Sequence, residues 1–155
     1  MSNWDNYFLS LCDAIAKNSK CWSRKVGVVV VRDGRYVVAT GYNGPPSSYP
    51  HCIGGCPRKL AGYVSGQGLH LCPAAHDAQN AVATAAKYGV SLKDCTLYSN
   101  TVVPCRECAK VIINAGIKEV VCYFGHYPEE GITGESLLTQ CGVAIRNVPH
   151  LSERS

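Results

Sequence analysis

The sequence predicts an α/β protein in which one sheet is covered by helices on both faces. Two apolar, β-branched runs flank an Asp-Gly turn in the first third of the chain, and helix-like and strand-like segments alternate in the second half. The length of 155 residues suits one domain, expected to cover residues 1–155. Ligands in such folds collect where strand ends meet helix starts.

The N-terminal part combines a helix, a hairpin and a long loop. Apolar residues recur three and four positions apart from Trp4 to Lys17, which predicts an amphipathic helix. The runs at 26–31 and 36–40 predict two strands joined by the Asp33-Gly34 turn. Residues 41–68 are rich in Gly, Pro, Ser and Cys without a period, so a long functional loop is expected there.

Helices and strands alternate in the rest of the chain. Tyr88-Gly89 and Gly116 are typical ends for two of the helices. The predicted elements are helices at 76–87, 105–115 and 135–140, and strands at 96–99, 119–123 and 143–148. Together with the hairpin, these segments predict a sheet of five strands.

The composition excludes several classes of protein. Hydrophobic residues make up 46% of the chain and charged residues 17%, which is typical of a globular protein. The formal net charge of +4 is too small for a duplex-binding surface, so no nucleic-acid partner is expected. The sequence shows no bilayer-spanning run and no secretory leader, so we expect a cytoplasmic protein without a membrane partner. Because a reducing compartment disfavours disulfides, the ten cysteines are expected in metal sites or in the core.

Two short motifs at predicted helix starts indicate a metal centre: His76-Asp77-Ala78 and Pro104-Cys105-Arg106-Glu107-Cys108. Cysteines three positions apart share one helix face, and a helix N-terminus lowers the thiol pKa. One imidazole and two thiolates suit a catalytic Zn²⁺ that keeps its fourth position open. We therefore predict His76, Cys105 and Cys108 as ligands. Arg106 and Glu107 are expected on a solvated or intersubunit face.

Besides the two metal motifs, several further segments follow a recognisable pattern: Ser19-Lys20-Cys21, Lys25-Val26-Gly27, Thr40 to Gly44, His51-Cys52, Leu71-Cys72, Gln79-Asn80-Ala81, Thr96-Leu97-Tyr98, Cys108-Ala109-Lys110 and Ile113 to Ile117. In these segments the chain resembles a known family, the deoxycytidylate (dCMP) deaminases of bacterial and phage type in the zinc-dependent cytidine deaminase superfamily. The resemblance covers nearly the whole chain. It implies a three-layer helix–sheet–helix sandwich around a mixed five-stranded sheet, and hydrolysis of dCMP to dUMP and ammonia. It further implies a homo-oligomer, usually a hexamer, in a bacterial cell or a phage-infected host.

Position 78 departs from the family pattern. Zinc deaminases carry a Glu two residues after the His, which transfers protons during catalysis, whereas this chain has Ala78. Loss of this Glu is expected to slow the chemical step by at least about 10²–10⁴-fold. Asp77 lies about 100° around the helix from that position and is not expected to replace it. The chain is therefore interpreted as a deaminase disarmed by Glu→Ala replacement. A naturally silent nucleotide sensor and a deaminase of another cytosine nucleotide are the alternatives.

The resemblance also implies a site for allosteric effectors. Gly41-Tyr42-Asn43-Gly44 matches the motif at which dCTP activates and dTTP inhibits, with Mg²⁺ on the triphosphate. Glycines permit close approach of the backbone to a phosphate or sugar, and Asn43 offers both a donor and an acceptor.

Three further residues are predicted to bind the substrate. The 5′-phosphate needs fixed positive charge, for which Arg24 or Lys25 is the candidate. Asn43 is placed to hydrogen-bond the deoxyribose. By resemblance, Tyr127 stacks on the cytosine, with Tyr123 as the alternative because the segment between them is one residue longer than is usual in the family.

The remaining cysteines divide into two groups. Several lie with histidines in the loop region, and the ligand set predicted for a second, structural zinc is Cys21, Cys52, His70 and Cys72, with His51 and Cys56 nearby. The others fall on predicted apolar faces and are expected to be buried: Cys12, Cys95, Cys122 and Cys141.

Overall fold

A computed structural model describes residues 2–150 of the chain. The helices are α1 (Asn3–Ala16), α2 (Pro57–Leu60), α3 (Asp77–Lys87), α4 (Arg106–Asn114) and α5 (Gly134–Gln140), with a 3-10 turn at Leu69–Leu71. The strands are β1 (Gly27–Arg32), β2 (Tyr36–Tyr42), β3 (Thr96–Ser99), β4 (Glu119–Tyr123) and β5 (Ala144–Val148).

The five strands form one mixed sheet in the order β2-β1-β3-β4-β5. Strand β1 pairs antiparallel with β2 and with β3, whereas β3, β4 and β5 run parallel. Helices α4 and α5 provide the crossovers that these parallel pairs require. The predicted mixed five-stranded sheet is confirmed.

The β1–β2 hairpin follows from local sequence. Four of the six residues of strand β1 are valine, and the turn residues Asp33 and Gly34 both adopt positive φ, at 54° and 69°. Strand β2 extends two residues past its predicted end and takes in Gly41 and Tyr42. A side chain at Gly41 would collide with the carbonyl of Asp77, so this glycine allows α3 to pack closely against β2.

Two apolar layers lie on opposite faces of the sheet. The layer under α1 contains Phe8, Leu9, Cys12, Val29, Val31, Tyr98, Val121, Tyr123 and Val148. The layer under α3, α4 and α5 includes Ala78, Ala81, Ala85, Cys108, Ile112, Leu138, Val28, Val30, Leu97 and Val120. Alternate residues of β1 point to opposite layers, as the two-residue period of a strand requires. The helix–sheet–helix sandwich is confirmed.

Some details differ from the sequence predictions. The loop expected at 41–68 contains the short helix α2, and the 3-10 turn follows it. Cys12, Cys95 and Cys122 are buried as predicted, but Cys141 is exposed because it caps the end of α5. Within residues 2–150, none of the helices has the length and apolar character needed to span a bilayer.

Candidate metal centre

Two helix starts come together on the α3–α4 side of the sheet. His76 is the N-cap of α3, Cys105 is the N-cap of α4, and Cys108 lies in the first turn of α4. Nδ1 of His76 is 3.4 Å from Sγ of Cys105 and 3.3 Å from Sγ of Cys108. Among residues 2–150, this is the one group of three candidate ligands whose atoms all lie within 4.8 Å of one another. The structure brings the predicted ligands together.

These separations fit a zinc ion. With Zn–S bonds of about 2.3 Å and Zn–N bonds of about 2.0–2.1 Å at tetrahedral angles, nitrogen and sulfur ligands lie about 3.6 Å apart. His76 is exposed, Cys105 is half-buried and Cys108 is buried, so one side of the group opens to solvent, where a fourth ligand can enter. The backbone N–H of His76 donates to Oε1 of Gln79 at 2.9 Å, which fixes the start of α3.

The thiols of Cys105 and Cys108 differ in pKa. A hydrogen bond from the Cys108 thiol, supported by His76, lowers the pKa of Cys105 to about 4 even though partial burial acts against ionisation. The same contact, together with burial, raises the pKa of Cys108. The pair therefore releases one proton readily and the second when a metal binds, since thiolate is the ligating form.

The two residues after His76 are both buried. Ala78 is 2% exposed and belongs to the apolar layer, so no carboxylate occupies that position. Oδ1 of Asp77 accepts the N–H of Ala78 at 2.8 Å, while Oδ2 of Asp77 has no hydrogen-bond partner within the described part of the chain. Burial raises the pKa of Asp77, although the charges of His76 and Arg24 act against it. Asp77 is thus a desolvated carboxylate beside the metal group with one oxygen uncommitted.

Two predicted substrate residues meet near this group. The guanidinium carbon of Arg24 lies 4.3 Å from the centroid of the Tyr127 ring. The Tyr127 hydroxyl is 3.2 Å from Oγ1 of Thr101, in the segment that leads to Cys105. Tyr123 instead packs in the α1 layer and contacts the ring of His150 at 4.8 Å between centroids. Of the two tyrosines, Tyr127 is the one on the side of the metal group.

Asn43 links Arg24 to the glycine motif. Its Oδ1 accepts the N–H of Val26 and its Nδ2 donates to the carbonyl of Arg24, both at 3.0 Å. Asn43 is 9% exposed, so its amide is committed to holding the segment that carries Arg24. Gly44 exchanges two backbone hydrogen bonds with Ala75, immediately before His76. The motif predicted to bind effectors is thereby joined to both the arginine and the histidine.

The Arg106 side chain, expected on a solvated or intersubunit face, is 35% exposed and is also held by contacts within the chain. Its Nε lies 3.3 Å from Oε2 of Glu129, and its Nη1 donates to the carbonyls of Glu130 and Ile132 at 2.7 and 3.0 Å. Glu107 remains exposed and pairs with Lys110 on the same helix. The sequence gives no local signal for the Arg106 contacts because its partners come from a loop distant in the chain.

Four cysteines line one cavity of about 30 Å³ in the loop region: Cys21, Cys52, Cys56 and Cys72. Burial raises the pKa of Cys52, and the other three thiols add to the shift. His70, predicted as a ligand, does not line this cavity and packs edge-to-face against Tyr63. Among the residues named for the second zinc, His51 and Cys56 line the cavity together with Cys21, Cys52 and Cys72, whereas His70 does not.

A mixed sheet with a His-Cys-Cys group at two helix starts is the arrangement of the zinc-dependent base deaminases. Residues 2–124 match the family described as the cytidine and deoxycytidylate deaminase zinc-binding region. The chain belongs to this zinc-binding family, and the family predicted from the sequence is confirmed.

Relatives from a phage and from a yeast agree with this assignment. The chain is 41% identical to the deoxycytidylate deaminase of Mycobacterium phage D29 over 133 residues, which cover 83% of this chain and 96% of that protein. It is also 41% identical to the deoxycytidylate deaminase of Schizosaccharomyces pombe over 93% of this chain, but this match spans only 44% of the yeast protein. The chain thus has less than half the length of that relative.

A solved structure has the same architecture. The dCMP deaminase from the cyanophage S-TIM5, in complex with dCMP and dUMP, aligns with a TM-score of 0.76 at 27% identity. The alignment covers 96% of this chain and 99% of the cyanophage chain.

Proposed function

We propose that this protein binds dCMP at a site built for hydrolytic deamination to dUMP and ammonia. The observation that carries the proposal is the convergence of His76, Cys105 and Cys108 beside the Arg24–Tyr127 pair. Similarity to the phage D29 relative and to the cyanophage structure that holds dCMP and dUMP supports the choice of substrate.

Within this proposal, His76, Cys105 and Cys108 hold a catalytic Zn²⁺. When bound, zinc supplies an activated water for attack on the cytosine ring. Arg24 provides fixed positive charge for the 5′-phosphate. Because Arg24 covers one face of the Tyr127 ring, the base is assigned to the opposite face, where stacking contributes about 1–3 kcal/mol.

Ala78 removes the group that would move protons between water, ring and leaving amine. We therefore expect dCMP binding to persist and turnover to be slow. A second function fits the same observation: a nucleotide-binding protein that senses dCMP without converting it. The two differ in whether the site regains activity when a carboxylate is supplied.

The test is ammonia release from dCMP by the zinc-loaded protein before and after Ala78→Glu. For a disarmed deaminase we expect a gain of about 10²–10⁴-fold, because the carboxylate restores general acid/base catalysis. Ala78→Gln is the matched control, since it adds similar bulk without an ionisable group and should leave turnover slow. CMP and dCTP, assayed alongside, distinguish another cytosine nucleotide as substrate.

Each outcome decides between the functions. A gain with Glu but not Gln supports the deaminase. Continued inactivity of Ala78→Glu with dCMP still bound favours the sensor, and failure of the unsubstituted protein to bind any cytosine nucleotide contradicts both.

Regulation and assembly extend the proposal. We assign effector binding, with Mg²⁺ on the triphosphate, to the backbone of the segment Gly41-Tyr42-Asn43-Gly44, since the Asn43 amide is already bonded to Val26 and Arg24. Support comes from the pairing of Gly44 with Ala75, through which a nucleotide at the motif acts on His76. Titration of dCMP in the presence of dCTP or dTTP tests this role, and unchanged affinity with both contradicts it. The expected homo-oligomer, a hexamer by preference, and the cytoplasmic location remain predictions.

We also propose that the four-cysteine cluster binds a second, structural zinc. The sulfurs are more widely spread than the ligands of the His76 group, so the loop must contract around the ion. Arg58 lines the same cavity, is 8% exposed, and donates to the carbonyls of Gln67 and Val64. Within residues 2–150 it forms no ion pair with a carboxylate, and four thiolates on Zn²⁺ would supply the negative charge that a buried guanidinium needs.

Elemental analysis tests the second zinc. We expect about two zinc ions per chain, falling to about one in Cys56→Ser because each structural site needs four ligands. His70→Ala is the control for the corrected ligand set and should retain both ions. One zinc in the unsubstituted protein, or loss of an ion in His70→Ala but not in Cys56→Ser, would contradict the assignment.

A further inference from the structure

The loop between β4 and α5 carries Tyr127 and also Glu129, whose carboxylate contacts the starts of two helices. Oε2 of Glu129 accepts the backbone N–H of Arg106 at 2.8 Å, and Oε1 accepts the N–H of Gly134 at 2.9 Å. The Glu129 side chain is only 10% exposed, and the Arg106 guanidinium also contacts it. One loop residue therefore satisfies the first N–H groups of both α4 and α5.

The start of α4 lacks a side-chain cap of its own. An N-cap side chain usually accepts the N–H of the second or third helical residue. In α4 the N-cap is Cys105, whose sulfur faces His76 and makes no capping hydrogen bond. Glu129 instead accepts the N–H of Arg106, the first residue of α4, from another part of the chain. Although burial acts in the other direction, the N–H groups of Arg106 and Gly134 lower the pKa of Glu129, so it remains charged at neutral pH.

Contacts of Glu129 and Arg106 hold the part of the loop that follows Tyr127. Glu129 lies two positions after Tyr127, and Arg106 donates to the carbonyls of Glu130 and Ile132. Arg106 itself lies between the two cysteines of the metal group. The chain just after Tyr127 is thus tied to the helix turn that carries Cys105 and Cys108, while the Tyr127 ring itself contacts Arg24 and Thr101.

We propose that Glu129 is a positioning residue that holds Tyr127 at the proposed dCMP site, in a fixed relation to the metal group. The inference rests on the proposed function, because it gives Tyr127 a nucleotide to contact. Glu129 itself touches neither the metal ligands nor the substrate. Its role is to keep the Tyr127 ring in place. It does so by accepting two backbone hydrogen bonds, from the N–H groups of Arg106 and Gly134.

The test compares Glu129→Ala with Glu130→Ala, which removes a carboxylate from the adjacent, exposed position. Hydrogen exchange of amides in 124–134 reports on the loop without nucleotide, and calorimetric titration of the zinc-loaded protein reports the Kd for dCMP. In Glu129→Ala we expect faster loop exchange, unchanged zinc at the His76 group, and dCMP affinity weaker by about five- to tenfold, part of a full stacking contact. Glu130→Ala should behave like the unsubstituted protein.

A double-mutant cycle with Tyr127→Ala separates positioning from general destabilisation. If Glu129 acts through Tyr127, adding Glu129→Ala to Tyr127→Ala should weaken dCMP binding little further. Full additivity, unchanged loop exchange, or a Kd equal to that of Glu130→Ala would overturn the proposal. If Glu129→Ala does not fold, Glu129→Gln, which keeps one acceptor oxygen, is judged by the same criteria. Absence of dCMP binding by the unsubstituted protein would contradict the proposed function, while loop exchange would still decide whether Glu129 holds the loop.

Discussion

Within residues 2–150, each face of the sheet has one buried aspartate, and the two aspartates differ in how their oxygens are hydrogen-bonded. Under α1, Asp5 is 2% exposed and both its oxygens are hydrogen-bonded. Under α3, Asp77 is 8% exposed and leaves one oxygen without a partner among the described residues. A buried carboxylate whose oxygens are hydrogen-bonded avoids the desolvation cost that an unsatisfied one bears. The contacts of Asp5 are therefore expected to stabilise the α1 face, whereas Asp77 is retained at a cost on the face that carries the His76 group.

The partners of Asp5 explain its stability. Arg146 donates to its two oxygens at 2.6 and 3.0 Å, the Tyr98 hydroxyl donates at 2.8 Å, and the backbone N–H of Ser2 donates at 3.0 Å. These contacts join the first helix to β3 and β5. No residue of the metal group takes part.

The largest expected effect that tests this contrast is on Asp5. We expect Asp5→Ala to lower the free energy of unfolding by about 3 kcal/mol, measured by urea denaturation. This is the low end of the range for breaking a buried pair, because Arg146 is 41% exposed and water can solvate it after the loss. Zinc content should not change. A loss below about 1 kcal/mol, or loss of metal, would contradict the division between the faces.

The same carboxylate makes stability depend on pH. Burial alone would raise the pKa of Asp5, but the hydrogen bonds from Arg146, Ser2 and Tyr98 hold it well below its ordinary value of 3.8. Its stabilising contribution is therefore complete above the ordinary pKa and is lost as the pH falls through the lower pKa of the folded protein. With decreasing pH, the free energy of unfolding should therefore fall less steeply in Asp5→Ala than in the unsubstituted protein. An equal pH dependence in the two proteins would contradict this assignment.

The next largest effect is expected on the α3–α4 face, where zinc binding at the His76 group should stabilise the fold. A ligand that binds only the folded protein stabilises it by about 2.7 kcal/mol at one hundred times its Kd. We expect zinc at the His76 group to give a shift of this size, and Cys108→Ser to remove it. Cys141→Ser is the matched control, since Cys141 is exposed and far along the chain from the ligands. Equal shifts in the two variants would show that the His76 group does not hold the ion.

Local patterns explain what the sequence predicts and what it misses. The five strands follow from hydrophobic periodicity and turn signals. The ligands His76, Cys105 and Cys108 follow from two short motifs whose combination matches the known signature of zinc deaminases. Cys56 and His70 offer equally suitable ligand atoms, and only the path of the 41–72 loop decides between them. Glu129 has no signature at all, because it caps helices whose starts lie elsewhere in the sequence.

The smallest expected effect lies on the outside of α4, where Glu107 and Lys110 form a pair at 3.0 Å with side chains 56% and 54% exposed. Pairs three residues apart on a solvated helix contribute about 0.2–0.5 kcal/mol, so Lys110→Ala should change the free energy of unfolding by no more than this. Added salt should reduce even that difference, because exposed charges are screened. Glu129 differs from Glu107 in its contacts. Glu107 lies on α4 and is exposed, whereas Glu129 is largely buried against backbone N–H groups at the starts of α4 and α5. A loss above about 1 kcal/mol that grows with protein concentration would instead place Glu107 and Lys110 in a contact between copies of the chain.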